Sequence, residues 1–255
     1  MKKKHLIGMI CILYIFCGCQ AKEAEEAPLG EFRAYAVMEE KRETLFCSDP
    51  NTVSERFLHM IEEYQNDDIV GYVLIEGTNV DYPVVQAQDN SYYLHRNYRH
   101  IEDIAGSIFL DYKNDIARGD RQYILYGHNM NADIMFHSVR YYVDESYYME
   151  HPYVIFDTLH HAYVFEVFTF YMADVNEHYY IHVNWPEDVA YKQYLDKVVD
   201  MSYYDTGVEV GVEDVILTLS TCTNISDDTR YVLSAKLISI DGKPVTEGAA
   251  ATPRT

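Results

Sequence analysis

The chain reads as a mainly β protein, an eight-stranded closed barrel with peripheral helices, and three observations predict it. Eight runs rich in β-branched and aromatic residues recur, at 69–75, 80–85, 107–111, 122–126, 154–156, 162–171, 215–219 and 231–240. Such side chains suit extended backbone, where branching at Cβ costs little rotamer freedom. Between the runs lie turn-forming stretches, among them Gly77-Thr78-Asn79, Lys113-Asn114-Asp115 and Leu159-His160-His161. Finally, 255 residues with 48% hydrophobic content and 25 tyrosines suffice for one sizeable core. Many short strands leave two open sheet edges unless the sheet closes on itself, hence a barrel.

Taken in order, the chain opens with Lys2, Lys3 and Lys4 ahead of an apolar stretch over 6–19. That stretch is short for a bilayer span and suits an export signal, so residues 1–19 are read as a signal peptide or membrane anchor. Phe16-Cys17-Gly18-Cys19 resembles a bacterial lipobox, which makes Cys19 a candidate lipidation site, although Phe16 departs from the usual aliphatic residue. The protein is therefore expected on the outer face of a bacterial cell membrane. Residues 20–50, with Glu23, Glu25, Glu26, Glu39, Glu40, Lys41 and Arg42, read as a charged spacer. The folded domain is placed at 51–242, and 243–255, small and polar, is expected to be a flexible tail.

Three helices are expected around the strands. Val53, Phe57, Met60, Ile61 and Tyr64 recur at helical spacing and give an amphipathic helix that packs on the sheet. Met135, Val139, Tyr142 and Val143 mark a second. Pro186 opens a third at a position that tolerates its missing N–H, with Val189, Leu195, Val198 and Val199 on the apolar face.

A formal charge of −21 argues against a nucleic-acid partner, since a phosphate backbone would be repelled. No glycine-rich phosphate loop is present, so no nucleotide cofactor is expected. His178 and His182 stand four apart, but the glutamate that a helical zinc motif needs after the first is missing, and no metal site is assigned. Of five cysteines, Cys11, Cys17 and Cys19 belong to the export segment, leaving Cys47 and Cys222. A bond between these two would block the nucleophile argued next, so Cys47 is read as an incidental thiol.

The run Val215-Ile-Leu-Thr-Leu-Ser-Thr-Cys222 ends in a thiol, and after a polar turn the next strand begins at Arg230. A thiol is a useful nucleophile only as thiolate, which a neighbouring cation or histidine favours. His128 follows the run 122–126 and so also sits at a strand end. Spacing alone does not single it out from eleven histidines; His95, His160 and His161 read as turn or surface residues.

The residues themselves carry a resemblance. Thr218-Leu219-Ser220-Thr221-Cys222 with Arg230 close behind resembles the sortase signature, and Tyr126-Gly127-His128-Asn129-Met130 is similar to the histidine motif of class B sortases. Asp81-Tyr-Pro-Val-Val-Gln86, Asp89-Asn-Ser-Tyr-Tyr-Leu94 and Gly106-Ser-Ile-Phe-Leu-Asp-Tyr112 resemble further family blocks in the same order, so the similarity runs from about 55 to 240.

The resemblance implies a sortase-type barrel and a cysteine transpeptidase with His128, Cys222 and Arg230 as its catalytic set, needing no cofactor. It further implies a Pro-x-Thr-type sorting signal near the C-terminus of secreted proteins, cut after Thr through a thioacyl intermediate. The acceptor would be an amine of peptidoglycan or its precursor, or a pilin lysine. By position in the blocks, Asn90, Leu94, Tyr180, Ile181 and Ser220 are expected to line the substrate groove. A hydrolytic cysteine peptidase and a non-catalytic cell-surface binding protein remain the alternatives.

Overall fold

The computed structural model describes residues 52–177, 181–223, 225–226 and 228–245. Helix α1, Glu55–Tyr64, comes first. Strands β1, Ile69–Leu74, and β2, Asp81–Val85, form an antiparallel hairpin. A long connection with a 3-10 turn at Tyr92–His95 leads to β3, Phe109–Leu110, and then to β4, Gln122–Tyr126. A small hairpin of β5, Asn129–Met130, and β6, Ile134–Met135, precedes a 3-10 segment at His137–Val143 and helix α2, Glu145–Glu150. After these come β7, Tyr153–Thr158, β8, Ala162–Asp174, helix α3, Asp188–Asp200, β9, Ile216–Cys222, β10, Thr229–Ile240, and the short β11, Lys243–Pro244.

Eight of these strands close into a barrel in the order β1-β2-β3-β4-β9-β10-β8-β7 and back to β1, as the sequence predicts. The contacts β2–β3 and β4–β9 are parallel and the rest antiparallel. Each parallel contact demands a crossover, and the two crossovers carry the irregular segments that build the site. Alternation along the strands sends Leu125, Phe165, Leu217, Leu219 and Leu233 into the barrel.

Two patches on the barrel's outside are covered by helices. Phe57 and Met60 of α1 pack with Ile69, Val85, Tyr93 and Phe109. Tyr191, Tyr194, Leu195 and Val198 of α3 pack with Phe168, Tyr171, Ile216 and Val232. This explains why β8 is buried on both faces rather than alternating. Between α3 and the barrel, the buried Gln122 amide donates to Tyr194 Oη at 3.0 Å and Thr218 Oγ1 at 3.1 Å and accepts from Trp185 Nε1 at 3.2 Å.

Several expectations need correction. Met135 lies on strand β6, and Val139 and Tyr142 belong to a 3-10 segment rather than an α-helix. Their separation of three residues fits a three-residue turn as well as a 3.6-residue one. Pro186 falls two residues before the first helical residue of α3, and Val189 and Val199 are exposed; Tyr191 and Tyr194 take the buried positions instead. Lys243 and Pro244 pair with the end of β10. Cys19, Cys47 and the remainder of residues 1–51, like 246–255, lie outside the described residues.

Candidate active site

The thiol and the guanidinium are brought together by strand register. In the antiparallel pair β9–β10, Cys222 stands directly opposite Arg230, and opposed residues project to the same face of a sheet. Leu217 and Leu219 point into the barrel, so Ser220 and Cys222 alternate with Thr221 and face outward. The turn that sets this register is tied by Thr223: its N–H donates to Thr229 O at 3.2 Å, and its hydroxyl bonds the Thr229 hydroxyl. Ile225 N and Ser226 N both donate to Thr223 Oγ1, at 3.2 and 3.4 Å. Arg230 Nη1 donates to Thr229 O at 2.8 Å, which steadies the guanidinium beside its own strand.

The parallel pair β4–β9 delivers the histidine. Tyr126 is in register with Ser220, Gly127 N donates to Ser220 O at 3.3 Å, and His128 follows at once. Asn129 Nδ2 donates to Cys222 O at 3.0 Å, pinning the far side of His128 to the end of β9. No side chain fits at Gly127, because a Cβ would lie 2.3 Å from Ile108 Cδ1 and 2.8 Å from Phe136 Cδ2.

His128 Nε2 lies 2.7 Å from Leu94 O. A carbonyl only accepts, so Nε2 carries hydrogen in both the neutral and the charged ring, and Nδ1 is the nitrogen free to gain or lose a proton. The Leu94 carbonyl is itself held. Gly106, at φ +60°, comes so close that a Cβ would lie 2.5 Å from Leu94 O. Next to it, Tyr93 Oη accepts from Asn66 Nδ2 at 3.0 Å and donates to Asp68 Oδ2 at 2.8 Å. Burial, reinforced by that Asp68 bond, pushes the Tyr93 hydroxyl well up, so it stays a neutral donor.

A cleft of about 260 Å³ opens here on the outside of the barrel, lined by Asn90, Leu94, His128, Ser220, Cys222 and Arg230 among others. Six of the residues singled out by sequence thus share one cleft. Cys222 and His128 are partly exposed. Ile181 packs instead against the cluster under α3, and Tyr180 and His178 lie outside the described residues. His182 sits near Trp185, with ring centroids 5.2 Å apart. A larger cavity, about 790 Å³, lies at the other end of the barrel between residues 112–118 and the β7–β8 turn, and none of the candidate site residues line it.

Three further groups lie at or beneath the cleft. The Leu94 carbonyl carries no side-chain signal. His95, read as a surface residue, is exposed but stacks on the His128 ring, with centroids 6.0 Å apart. Asp111, inside a block already noticed, is buried beneath the cleft, and a charged residue within an apolar strand run was the available clue. The ensemble offers a thiol beside a fixed cation, an imidazole with one titratable nitrogen, and a groove for an extended chain. Such a set suits acyl transfer.

Residues 73–238 match the family model described as Sortase domain. The chain is 39% identical over 176 residues to Sortase B of Listeria monocytogenes, covering 68% of this chain and 71% of that protein. It is 30% identical over 234 residues to Sortase B of Staphylococcus aureus, covering 91% and 95%. Its backbone is similar to that of the Staphylococcus aureus sortase B–substrate complex, with a TM-score of 0.69 at 30% identity over 82% of this chain and 94% of that one.

Proposed function

The chain belongs to the sortase family as a class B member, and as a cysteine transpeptidase of that family we propose that it acts through Cys222, His128 and Arg230. Its substrates are secreted proteins with a C-terminal sorting signal of the Pro-x-Thr type, cut after Thr. The observation that carries this reading is the register that sets Arg230 opposite Cys222 in the cleft that His128 also lines.

The Cys222 thiolate attacks the threonine carbonyl, forming a C–S bond and placing negative charge on the carbonyl oxygen. Arg230 donates to that oxygen, together with a backbone N–H at the end of β9. Collapse of the tetrahedral species breaks the C–N bond, and His128, protonated at Nδ1, gives its proton to the departing amine. A thioester remains on Cys222. An acceptor amine, from peptidoglycan or its precursor or from a pilin lysine, loses its proton to His128 Nδ1 and displaces the thiolate, leaving a new amide. Asn90, Leu94 and Ser220 flank the bound signal.

Sortases are typically cell-surface or membrane-associated. No helix among the described residues is long and apolar enough to cross a membrane. Residues 1–19 supply the anchor in this reading, as an export segment or through a lipid on Cys19, and hold the domain on the outer face of the membrane.

The test is a library of Pro-x-Thr peptides given to the domain from residue 52 onward, with and without an amine acceptor, and product masses read out. Ligated product that requires the amine supports the transpeptidase and names its signal. Cleavage that yields only the free acid with every amine supplied would favour a peptidase.

A further inference from the structure

Asp111 is 1% exposed and takes no part in the acyl-transfer steps, yet two groups at the cleft converge on one of its oxygens. Asn90 Nδ2 donates to Asp111 Oδ2 at 2.8 Å, and Tyr126 Oη donates to the same atom at 2.9 Å. Lys113 N donates to Oδ1 at 2.9 Å. The backbone of Asp111 is pinned as well, because Gln86 Nε2 donates to its carbonyl at 2.9 Å and to Asn114 O at 2.8 Å. Neutral donors thus hold this carboxylate in place. A buried carboxylate whose acceptor sites are filled from the cleft side orients the groups that donate to it.

The role is legible in the amide of Asn90. Its Oδ1 accepts from Tyr112 N at 3.0 Å while its Nδ2 donates to Asp111. A carboxylate accepts and a backbone N–H donates, so the amide has one orientation and cannot flip. One hydrogen of Nδ2 is used by Asp111, and the other belongs to a side chain that lines the cleft. A mobile asparagine would offer its oxygen as readily as its nitrogen.

We propose that Asp111 is a positioning residue that locks Asn90 so that the cleft presents an N–H donor, selecting a substrate with an acceptor oxygen, a peptide carbonyl or side-chain amide, at that place. The inference rests on the reading of the cleft as the peptide site. Replacing Asp111 by asparagine leaves one neutral amide oxygen where a carboxylate served three donors, so its NH2 must face either the Lys113 N–H or the Asn90 and Tyr126 donors, and the hold on Asn90 weakens. Asn90 cannot compensate by turning over, since its nitrogen would then meet Tyr112 N–H.

The experiment is a double-mutant cycle of Asp111→Asn and Asn90→Ala on a peptide that the wild type turns over. Each single variant is expected to raise KM about tenfold with kcat within about twofold, and the double variant to be no worse than either alone. Additive losses, or a fall in kcat at unchanged KM, would overturn the proposal. A second readout needs no substrate and stands even if Asp111→Asn fails to fold or the transpeptidase reading fails. In amide spectra of the free wild-type protein, the Asn90 side chain is expected to show one hydrogen-bonded, slowly exchanging proton. Rapidly averaging Asn90 protons would refute the lock whatever the peptides do.

Discussion

Arg230 stands opposite Cys222 across two hydrogen-bonded strands, and the proposed mechanism needs its guanidinium at the thiol. Lysine at that position keeps the charge and loses the planar fork of donors, so Arg230→Lys is expected to lower kcat/KM by roughly 10²-fold. Steady-state kinetics on the best peptide checks it, and wild-type turnover would remove Arg230 from the mechanism. Cys222 and Arg230 were legible because a strand that ends in a thiol and a strand that starts with a cation follow one another in the sequence. The tautomer of His128 was not legible, because its partner is the carbonyl of Leu94, and backbone oxygens look alike in every residue.

At the scale of elements, two attachments make predictions. Gly127 joins β4 to His128 with no room for a Cβ. Gly127→Ala should destabilise the fold by about 1–3 kcal/mol and also lower kcat, since the residue that must shift is next to His128. Thermal unfolding and kinetics on the same sample test both halves. Helix α3 is pinned through Gln122, whose Nε2 donates to Tyr194 Oη. Tyr194→Phe leaves a buried N–H short of a partner and should cost about 1–3 kcal/mol in denaturant unfolding while kcat is retained. The sequence signalled α3 through its apolar spacing but misassigned its face: Val189 and Val199 look like core residues, whereas Tyr191 and Tyr194 are the ones buried. A tyrosine that carries its hydroxyl to a buried partner is invisible to a hydrophobic count. The supposed helix at 135–143 failed for a related reason, because three-residue spacing does not tell a 3-10 segment from an α-helix.

At the scale of the whole molecule, closure of the barrel followed from eight strand runs, but the strand order did not, since the parallel contacts β2–β3 and β4–β9 depend on crossovers whose paths no local pattern encodes. Tyrosine content gives the whole fold a pH signature. Burial is the first cause that raises Tyr72, Tyr163 and Tyr194, each to about 12, with the Asp81 hydrogen bond adding to it at Tyr72. Between the ordinary value near 10 and about 12, the unfolded chain has released these protons and the folded one still holds them. The stability these three hydroxyls contribute is therefore fully present below about pH 10 and lost as pH rises through about 12. Unfolding by denaturant from pH 8 upward, with tyrosinate absorbance followed alongside, should show a decline that begins near pH 10. A stability flat to pH 12 would contradict the burial of these hydroxyls.

Intact-protein mass spectrometry during a single turnover with a matched sorting peptide decides whether Cys222 carries the acyl group. A mass increase equal to the peptide up to its threonine is expected, located on Cys222, discharged by an added amine and absent from Cys222→Ala. Turnover with no adduct on Cys222, or undiminished turnover by Cys222→Ala, would contradict it.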